Sequence, residues 1–600
     1  MRDVSHKLQH AVALLEAGRS HDALSALMRL LPSAPRDPVV NGLLAQACIS
    51  TGNPERGEYY AQQALKAAPG EPGLVITLAS SFSTRDKQEE AFQILDKAHA
   101  QRPEHEHLAC AWLGSLQLTK RYKRAITEGE ALAARFPDNT EVCSRLASAL
   151  VEMGYAQRAA EVVRAGLRRA PDEHRLATEL CTMLTYSDQA APQEVFEAHR
   201  AYGRLLQRLI PHTPAPFANT PDPDRRIRVA IISPDFGFHP VGLFLEPLLA
   251  HLDRSRVDVY LYSTNQTEDW MTQRLRAHAT QWRHRPDLTI AQHADLMRDD
   301  GVDVLFDVSG HTLGSAYPLF RLRPAPVQVS WLGFPNTSGL EEMDWRIVDS
   351  ITDPDTPEVN ALASERLYRL DPCFLCYRAP EAEHDPGVVE APSLASGKPF
   401  TFGSFNSVSK IGDRTLALWA RILRETPGSR LLLKYTAYAH EEGRALMLER
   451  FAEHAVEADR IELRPADRDY RAFLANYHDV DLALDTMPFN GATTTCDALF
   501  MGVPVLCARG GRCAARVASS ILRAVGLDEL VAQDDEGYVR TAREIATDPE
   551  RLRALRAGLR ERFLASPAGD APAFAVRFEA GVREMWREWC GRARTNVGAS

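Results

Sequence analysis

The segment VDLALDTMPFNGATTTCDALFMGVPV carries the strongest chemical signal in this chain of 600 residues. Its apolar run predicts a buried strand at Leu482–Leu484. Asn490 and Gly491 predict the turn that follows this strand. Three consecutive hydroxyl residues then open a helix, and they are Thr493, Thr494 and Thr495.

The start of this predicted helix is suited to binding an anion. It exposes unpaired backbone N–H groups and the positive end of the helix dipole. Gly491 allows a ligand to approach the backbone, and the threonine hydroxyls add hydrogen bonds, so we predict a diphosphate site. Asp497, one turn into the helix, either holds a ribose hydroxyl or only favours the helix start. The alternative for the whole segment is a threonine N-cap without a ligand.

A lysine in a second segment, FGSFNSVSKIGD, is a candidate partner for the same phosphate. The segment is predicted to leave a strand and to enter a helix, with Lys410 in the loop between them. A cation there would neutralise the charge that develops on a leaving diphosphate. The alternative is a solvated lysine without a catalytic role.

Two histidines follow predicted strands of an earlier region, His239 in SPDFGFHPVG and His311 in DVSGHTLG. Histidine can take or relay a proton near neutral pH, so both are candidate active-site residues. The alternative for each is a structural histidine in a loop.

The sequence offers no support for a catalytic metal. It contains no HExxH, EF-hand or Walker motif, and no clear DxD pair lies where a catalytic metal would need one, although DPDT occurs in a predicted loop at 353–356. The CxxC pair Cys373 and Cys376 has no second pair and is interpreted as two ordinary thiols. We therefore expect Lys410 and the helix start to take the place of a metal ion.

The elements that position these residues alternate between strand and helix. Strand runs such as IRVAIIS, VDVYLYS and VDVLFD are followed by a second series that includes FTFGS, RLLLK and VPVLCA. This alternation predicts two parallel sheets, hence two Rossmann-like lobes with a cleft between them. Ligands bind at the carboxyl ends of the strands in such sheets.

The first third of the chain has a period of 34 residues. The prolines that mark it are Pro35, Pro69, Pro103, Pro137 and Pro171, each with a small residue twelve positions earlier. This period is typical of tetratricopeptide repeats, which are helix–turn–helix units that stack into a superhelix with a concave face. The array is suited to gripping protein substrates, and a scaffold or homodimer interface is the alternative.

The composition limits the partners. Net charge is −10, without a Lys/Arg block, which argues against nucleic acid. The N-terminus lacks an apolar signal core, and no apolar run reaches the roughly 18 residues of a membrane helix, so we expect a cytoplasmic protein. We predict a repeat array with a helical extension at 1–210, a linker at 211–225, and two lobes at 226–390 and 391–590.

The motifs SPDFGFHPVG, GHTLG, FGSFNSVSKI and LDTMPFNGATTTCDALFMGVPV resemble the family 41 glycosyltransferases, which include the protein O-GlcNAc transferases and the plant Spindly proteins. The resemblance covers the repeat array and essentially all of 226–590. It implies an all-α tetratricopeptide superhelix followed by an α/β GT-B fold with two Rossmann-like lobes. It also implies inverting, metal-independent transfer of a sugar from a nucleotide donor to Ser or Thr of a protein, without a cofactor.

The resemblance also implies roles for single residues. His239 matches the histidine proposed as base or acceptor-site residue, and His311 matches the second active-site histidine. Lys410 matches the lysine that the donor diphosphate requires. The residues that match the phosphate- and ribose-binding positions of the family are Thr493, Thr494 and Asp497.

Three positions depart from the family pattern. Ala492 replaces a histidine that usually precedes the threonines, Ser407 replaces a glutamine that contacts the nucleotide, and Phe473 replaces a histidine at the nucleotide. The TTTCD stretch is closer to Spindly, whose donor is GDP-fucose. We favour UDP-GlcNAc as donor, with protein O-fucosylation as the alternative.

Three other functions stay open. One is asparagine glucosylation, against which the regular repeats weigh. Another is a non-catalytic scaffold with degenerate lobes. The third is transfer to a small molecule, with the repeats serving as a dimerising arm.

Overall fold

The structure is a computed structural model that describes residues 2–212, 216–265, 267–312 and 314–597. Leu313 of the GHTLG motif and positions 213–215 of the predicted linker lie outside the described residues. The chain divides into two compact units. One comprises residues 1–150 with 440–446, and the other comprises 151–439 with 447–600.

Twelve helices precede the first strand. They are α1 (Arg2–Glu16), α2 (Ser20–Leu30), α3 (Pro38–Ser50), α4 (Pro54–Ala67), α5 (Pro72–Ser83), α6 (Gln88–Gln101), α7 (Glu106–Leu118), α8 (Tyr122–Arg135), α9 (Thr140–Glu152), α10 (Ala156–Arg169), α11 (His174–Tyr186) and α12 (Pro192–Leu209). Their pairing confirms the predicted helical repeats, and the described residues between Leu209 and Ile227 form neither helix nor strand.

The prolines and glycines of the repeats lie where helices end or turn, as the sequence predicts. Helices α4, α6, α8 and α10 each end two residues before a proline of the 34-residue series, because proline cannot continue the hydrogen-bond ladder. Gly18, Gly52 and Gly154 adopt φ values of 72°, 79° and 83° in the turns between helices, a conformation that glycine tolerates best. The small residues twelve positions before the prolines are buried, so paired helices approach closely. These are Ala23, Gly57, Ala91, Ala125 and Ala159.

Two parallel sheets follow. The first contains β1 (Ile227–Ser233), β2 (Val257–Ser263), β3 (Gln281–His284), β4 (Val304–Asp307), β5 (Val327–Ser330), β6 (Trp345–Val348) and β7 (Arg366–Arg369). The second contains β8 (Thr401–Ser404), β9 (Arg430–Lys434), β10 (Ile461–Arg464), β11 (Leu482–Leu484), β12 (Val505–Ala508) and β13 (Val531–Ala532).

The strand order is β3-β2-β1-β4-β5-β6-β7 in the first sheet and β10-β9-β8-β11-β12-β13 in the second. Both orders reverse between two central strands, as in a doubly wound Rossmann fold, which confirms the two predicted lobes. The edge strand β3, with the sequence QWRH, was not predicted because it lacks an apolar run.

Fifteen helices flank or connect these strands. They are α13 (Pro240–His251), α14 (Trp270–His278), α15 (Ile290–Asp299), α16 (Tyr317–Arg321), α17 (Pro357–Asn360), α18 (Pro392–Ser396), α19 (Asp413–Glu425), α20 (Glu441–Ala452), α21 (Tyr470–Ala475), α22 (Thr493–Phe500), α23 (Val517–Ala524), α24 (Asp535–Thr547), α25 (Pro549–Arg556), α26 (Leu559–Leu564) and α27 (Ala571–Val597).

The last helix packs against the first sheet. The Phe578 ring of α27 lies 5.4 Å from Phe306 and 5.0 Å from Trp331, measured between ring centroids. The predicted lobe at 391–590 therefore includes a helix that covers the other lobe. Among the described residues, every helix is too short or too polar to span a lipid bilayer.

Candidate active site

The predicted site residues follow the strands at which each sheet reverses its order. His239 follows β1 and His311 follows β4, the central pair of the first sheet. Lys410 follows β8 and the threonine helix α22 follows β11, the central pair of the second. In open α/β sheets this crevice at the carboxyl ends of the strands is where ligands bind.

Lys410 points at the loop that leads into helix α22. Its Nζ donates a hydrogen bond to the carbonyl oxygen of Asn490 at 2.9 Å and lies 4.5 Å from the centroid of the Phe489 ring. Lys410 therefore contacts the loop that leads into the helix start, with which the sequence predicted it would share a phosphate.

A buried carboxylate lies close to this lysine. Asp485 is 2% exposed; its Oδ1 accepts the Gly491 N–H at 2.7 Å and the Asn406 Nδ2 at 3.1 Å. Its Oδ2 is buried without a partner in the described part of the chain. Burial lowers the pKa of Lys410 and raises the pKa of Asp485, while the charge of each opposes the shift of the other. The opposite charge of each group therefore offsets only part of the cost of burying the other.

Helix α22 begins without a side-chain cap. The residue before it is Ala492, whose methyl group cannot accept the N–H groups of the first turn. The threonines are the first helical residues, so the alternative of a threonine N-cap is wrong. These N–H groups remain free to bind an anion.

The three hydroxyls of the first turn differ. Thr494 donates to Asn406 Oδ1 at 2.7 Å, and Thr495 donates to the Gly491 carbonyl at 3.1 Å. The Thr493 hydroxyl has no hydrogen bond within the described residues. Thr493 is therefore the threonine whose hydroxyl can still donate a hydrogen bond to an anion.

Asn490 and Gly491 shape the loop. The Asn490 side chain is 1% exposed and donates to the Thr486 carbonyl at 2.8 Å, so only its backbone faces Lys410. A Cβ at Gly491 would lie 2.4 Å from the Thr494 hydroxyl and 2.8 Å from Asn406 Oδ1. Only glycine allows this close approach.

Asp497 is buried beneath two tyrosines. Tyr377 and Tyr470 donate to its Oδ1 at 2.7 Å and 2.8 Å. Burial raises the pKa of this carboxyl to about 7, although both hydroxyls oppose the shift. The two tyrosines occupy Oδ1, which leaves Oδ2 as the atom for the predicted ribose contact.

His239 is the exposed histidine of the site. It precedes α13, and 45% of its side chain is exposed. Its Nδ1 accepts the Val241 N–H at 3.3 Å and lies 3.9 Å from Asp235 Oδ1. Partial burial lowers its pKa and Asp235 opposes this. The neutral ring then carries its hydrogen on Nε2, which donates a hydrogen bond to an approaching oxygen.

His311 occupies a different environment, with 3% of the residue exposed. The rings of Tyr202 and Tyr317 lie 4.9 Å and 4.8 Å from it, and that of Phe334 lies at 5.3 Å, measured between centroids. Burial lowers its pKa well below the ordinary value. The structure therefore places His311 in the core rather than at an exposed surface.

The loop that carries His239 reaches the second lobe through aromatic contacts. The neighbouring Phe238 packs edge-on against Tyr470 with 5.0 Å between centroids, and Tyr470 holds Asp497 of helix α22. The structure thus brings the histidine loop and the threonine helix together. Phe473, one of the three departures from the family pattern, stacks with Tyr470 at 6.2 Å and 18°.

The sequence reasoning missed several residues that build the site. These are Asp235, Tyr377, Asn406, Tyr470 and Asp485. Two of them carried a usable signal, because Asp235 and Asp485 are acids directly after strands β1 and β11. The tyrosines are distant in sequence and carried none.

The cysteine and DxD candidates carry structural roles here. Cys373 and Cys376 are buried, and burial raises the pKa of each thiol to about 12. Asp353 of DPDT pairs with Arg346 at 2.8 Å.

Sequence profiles match most of the chain. The profile described as Glycosyl transferase family 41 matches residues 197–376 and 395–577, and a tetratricopeptide repeat profile matches 116–184. The Arabidopsis thaliana protein named probable UDP-N-acetylglucosamine–peptide N-acetylglucosaminyltransferase SPINDLY is 37% identical over 424 residues, which are 70% of this chain and 46% of that protein. The protein of the same name from Solanum lycopersicum is 36% identical over 71% of this chain and 45% of its own length.

A solved structure is similar over nearly the whole chain. A mutant of the Thermobaculum terrenum O-GlcNAc transferase is 31% identical, covers 96% of this chain and 99% of its own, and superposes with a TM-score of 0.76. The chain spans less than half the length of the plant relatives.

The close approach at Gly491 predicts the effect of adding one methyl group. Gly491→Ala should lower the free energy of unfolding by about 1–3 kcal/mol, because the Thr494 hydroxyl and the Asn406 amide must move. Gly511→Ala is the matched control, since its Cβ meets nothing within 4 Å. Thermal and urea denaturation of both variants measures the difference; equal stabilities would contradict the tight loop.

Proposed function

We propose, because the chain belongs to glycosyl transferase family 41, that it transfers a sugar from a nucleoside diphosphate to Ser or Thr hydroxyls of proteins, with inversion and without a metal ion. The observation that carries this proposal is the position of Lys410 against the loop of an uncapped threonine helix. Such a site needs an anion to satisfy it, and a diphosphate supplies one.

The leaving group is stabilised by the second lobe. As the bond between the anomeric carbon and the diphosphate oxygen breaks, its electron pair stays on the diphosphate. The Lys410 ammonium, the first N–H groups of α22 and the Thr493 hydroxyl meet that charge. Fixed donors of this kind stabilise the transition state more than the ground state.

The acceptor approaches from the side of the first lobe. Its hydroxyl oxygen forms a bond to the anomeric carbon on the face opposite the diphosphate, which inverts the configuration. His239 first orients this oxygen through Nε2–H. The ring hydrogen then moves to Nδ1, which lies 3.9 Å from Asp235 Oδ1, as the 3.3 Å bond from Val241 is released, and the bare Nε2 takes the hydroxyl proton while the new C–O bond forms.

Acceptor proteins bind through the repeats. Helices α3 and α5 line a groove of about 670 Å³ in the first unit, with apolar residues that include Val39, Leu43 and Ile76. A concave apolar surface on stacked repeats suits a protein segment better than a small polar acceptor.

The donor in this proposal is UDP-GlcNAc, the sugar nucleotide in the names of the plant relatives. The aromatic face of Phe473 is suited to stacking on a nucleobase, and such stacking tolerates uracil and guanine alike. GDP-fucose is therefore the second candidate.

Removing the lysine tests the proposal. Lys410→Ala should lower the rate of transfer about 10²–10³-fold, because one preorganised donor to the leaving charge is lost. Lys398→Ala is the control, since that lysine is half exposed and lies 3.6 Å from Asp479. Mass spectrometry of an acceptor protein measures the transfer. An unchanged rate in folded Lys410→Ala would remove the central element of the proposal.

The affinity for the donor should depend on pH. Burial lowers the pKa of Lys410 below 10.5 in the free protein, and a bound diphosphate raises it again. The lysine is charged in the complex, so affinity falls as pH rises through the pKa of the free protein, by up to about tenfold per pH unit. Calorimetric titration from neutrality to about pH 10 measures the slope. Lys410→Arg should abolish it, and a slope that persists there contradicts this origin.

The two donor candidates can be separated by thermal shift. UDP-GlcNAc should raise the unfolding midpoint more than GDP-fucose or UDP-glucose at equal concentration, because binding to the folded state stabilises it. Free UDP and GDP are controls for the nucleotide alone. A larger shift with GDP-fucose would reassign the reaction to fucosyl transfer.

A further inference from the structure

Three buried side chains outside the donor loop converge on one point. Cys181 on α11, His199 on α12 and His311 after β4 each offer one ligand atom, and these atoms lie within 4.8 Å of one another. The three residues are 0%, 0% and 3% exposed. The transfer reaction proposed above does not use Cys181 or His199.

The hydrogen bonds of His199 leave one nitrogen bare. Its Nδ1–H donates to the Val195 carbonyl at 2.7 Å. Its Nε2 therefore carries a free lone pair, and this buried atom has no partner in the described part of the chain. Metal-binding histidines are oriented in this way, with the other nitrogen tied to a backbone carbonyl or a similar group.

His311 offers a second imidazole at the same point. Its Nδ1 lies 3.3 Å from the Thr178 hydroxyl, and its Nε2 is buried without a hydrogen bond among the described residues. The Ser338 carbonyl partly opposes the effect of burial on the ring. The rings of His199 and His311 meet edge-on, 4.8 Å apart between centroids. The bare Nε2 of His199 in an apolar environment is costly unless something binds it.

We propose that Cys181, His199 and His311 form a binding site for a thiophilic d¹⁰ cation, Zn²⁺ or Cu⁺. Bonds of about 2.0–2.3 Å place ligand atoms about 3.5 Å apart, so the side chains need to close by about 1 Å. Thiolate and imidazole select these soft and borderline ions, whereas Mg²⁺ and Ca²⁺ require oxygen ligands. The surrounding rings exclude water that would compete for the ion.

The charge of the site fits either ion. A thiolate with two neutral imidazoles carries one negative charge, which Cu⁺ neutralises. Zn²⁺ would leave one positive charge. The buried carboxylate of Asp307, the last residue of β4, accepts the N–H of Gly310 beside His311 and would oppose that charge. A bound ion would fasten helices α11 and α12 to the loop after β4.

Metal titration of the full-length protein under reducing conditions tests the site. Co²⁺ serves as the spectroscopic substitute for Zn²⁺, and one equivalent should produce a sulfur-to-metal charge-transfer band that Zn²⁺ abolishes. Cu⁺ is tested separately, by competition with a chromophoric Cu⁺ chelator. The arm that gives stoichiometric binding identifies the ion.

Matched variants locate the binding. Cys181→Ser should remove the charge-transfer band or the Cu⁺ competition, while Cys590→Ser, which changes a buried thiol on α27, should retain them. His199→Gln tests the same site if Cys181→Ser does not fold by circular dichroism. The proposal is overturned if the wild-type protein binds neither ion, or if binding survives in folded Cys181→Ser or His199→Gln.

Discussion

The proposed donor site depends on a lysine and an aspartate that are buried where water cannot fully solvate them. Lys410 follows β8 and Asp485 follows β11, so the central strands of the second sheet deliver opposite charges to one loop. Burial moves the pKa of each toward neutrality, and neither charge fully offsets this for the other. The first turn of α22 adds N–H groups without a side-chain acceptor. A diphosphate would supply a counter-charge for Lys410 and acceptors for these N–H groups, and on this ground we propose that the loop binds an anion.

Local pattern was enough to predict the elements and the loops. The 34-residue period fixed the helical repeats, and apolar runs followed by polar turns located the central strands, because buried parallel strands read as continuous apolar segments. Lys410 and the threonine helix could be predicted to lie near each other because parallel strands end at the same edge of a sheet. Strands such as β3 lack that pattern, and pairing with β2 at the sheet edge decides their structure instead.

Long-range packing determined what the sequence could not show. His239 and His311 both follow central strands, yet one is exposed and the other lies under Tyr202 and Tyr317. That difference arises because helices α11 and α12 cover the loop after β4, which carries His311. Nothing within the GHTLG motif encodes this packing. Likewise, the partners of Asp497 come from positions 377 and 470, which no local spacing relates.

The same packing connects the two halves of the reaction. Phe238, beside His239, contacts Tyr470, whose hydroxyl donates to Asp497 in α22, the helix proposed to bind the diphosphate. A nucleotide that contacts Asp497 and Phe473 therefore fixes the ring against which the histidine loop rests. Phe238 also packs against Trp270 at 5.5 Å between centroids and donates its backbone N–H to Asp269 at 2.6 Å, so Tyr470 is one of several contacts that position this loop. We therefore expect a bound nucleotide to restrain the histidine loop further through Tyr470.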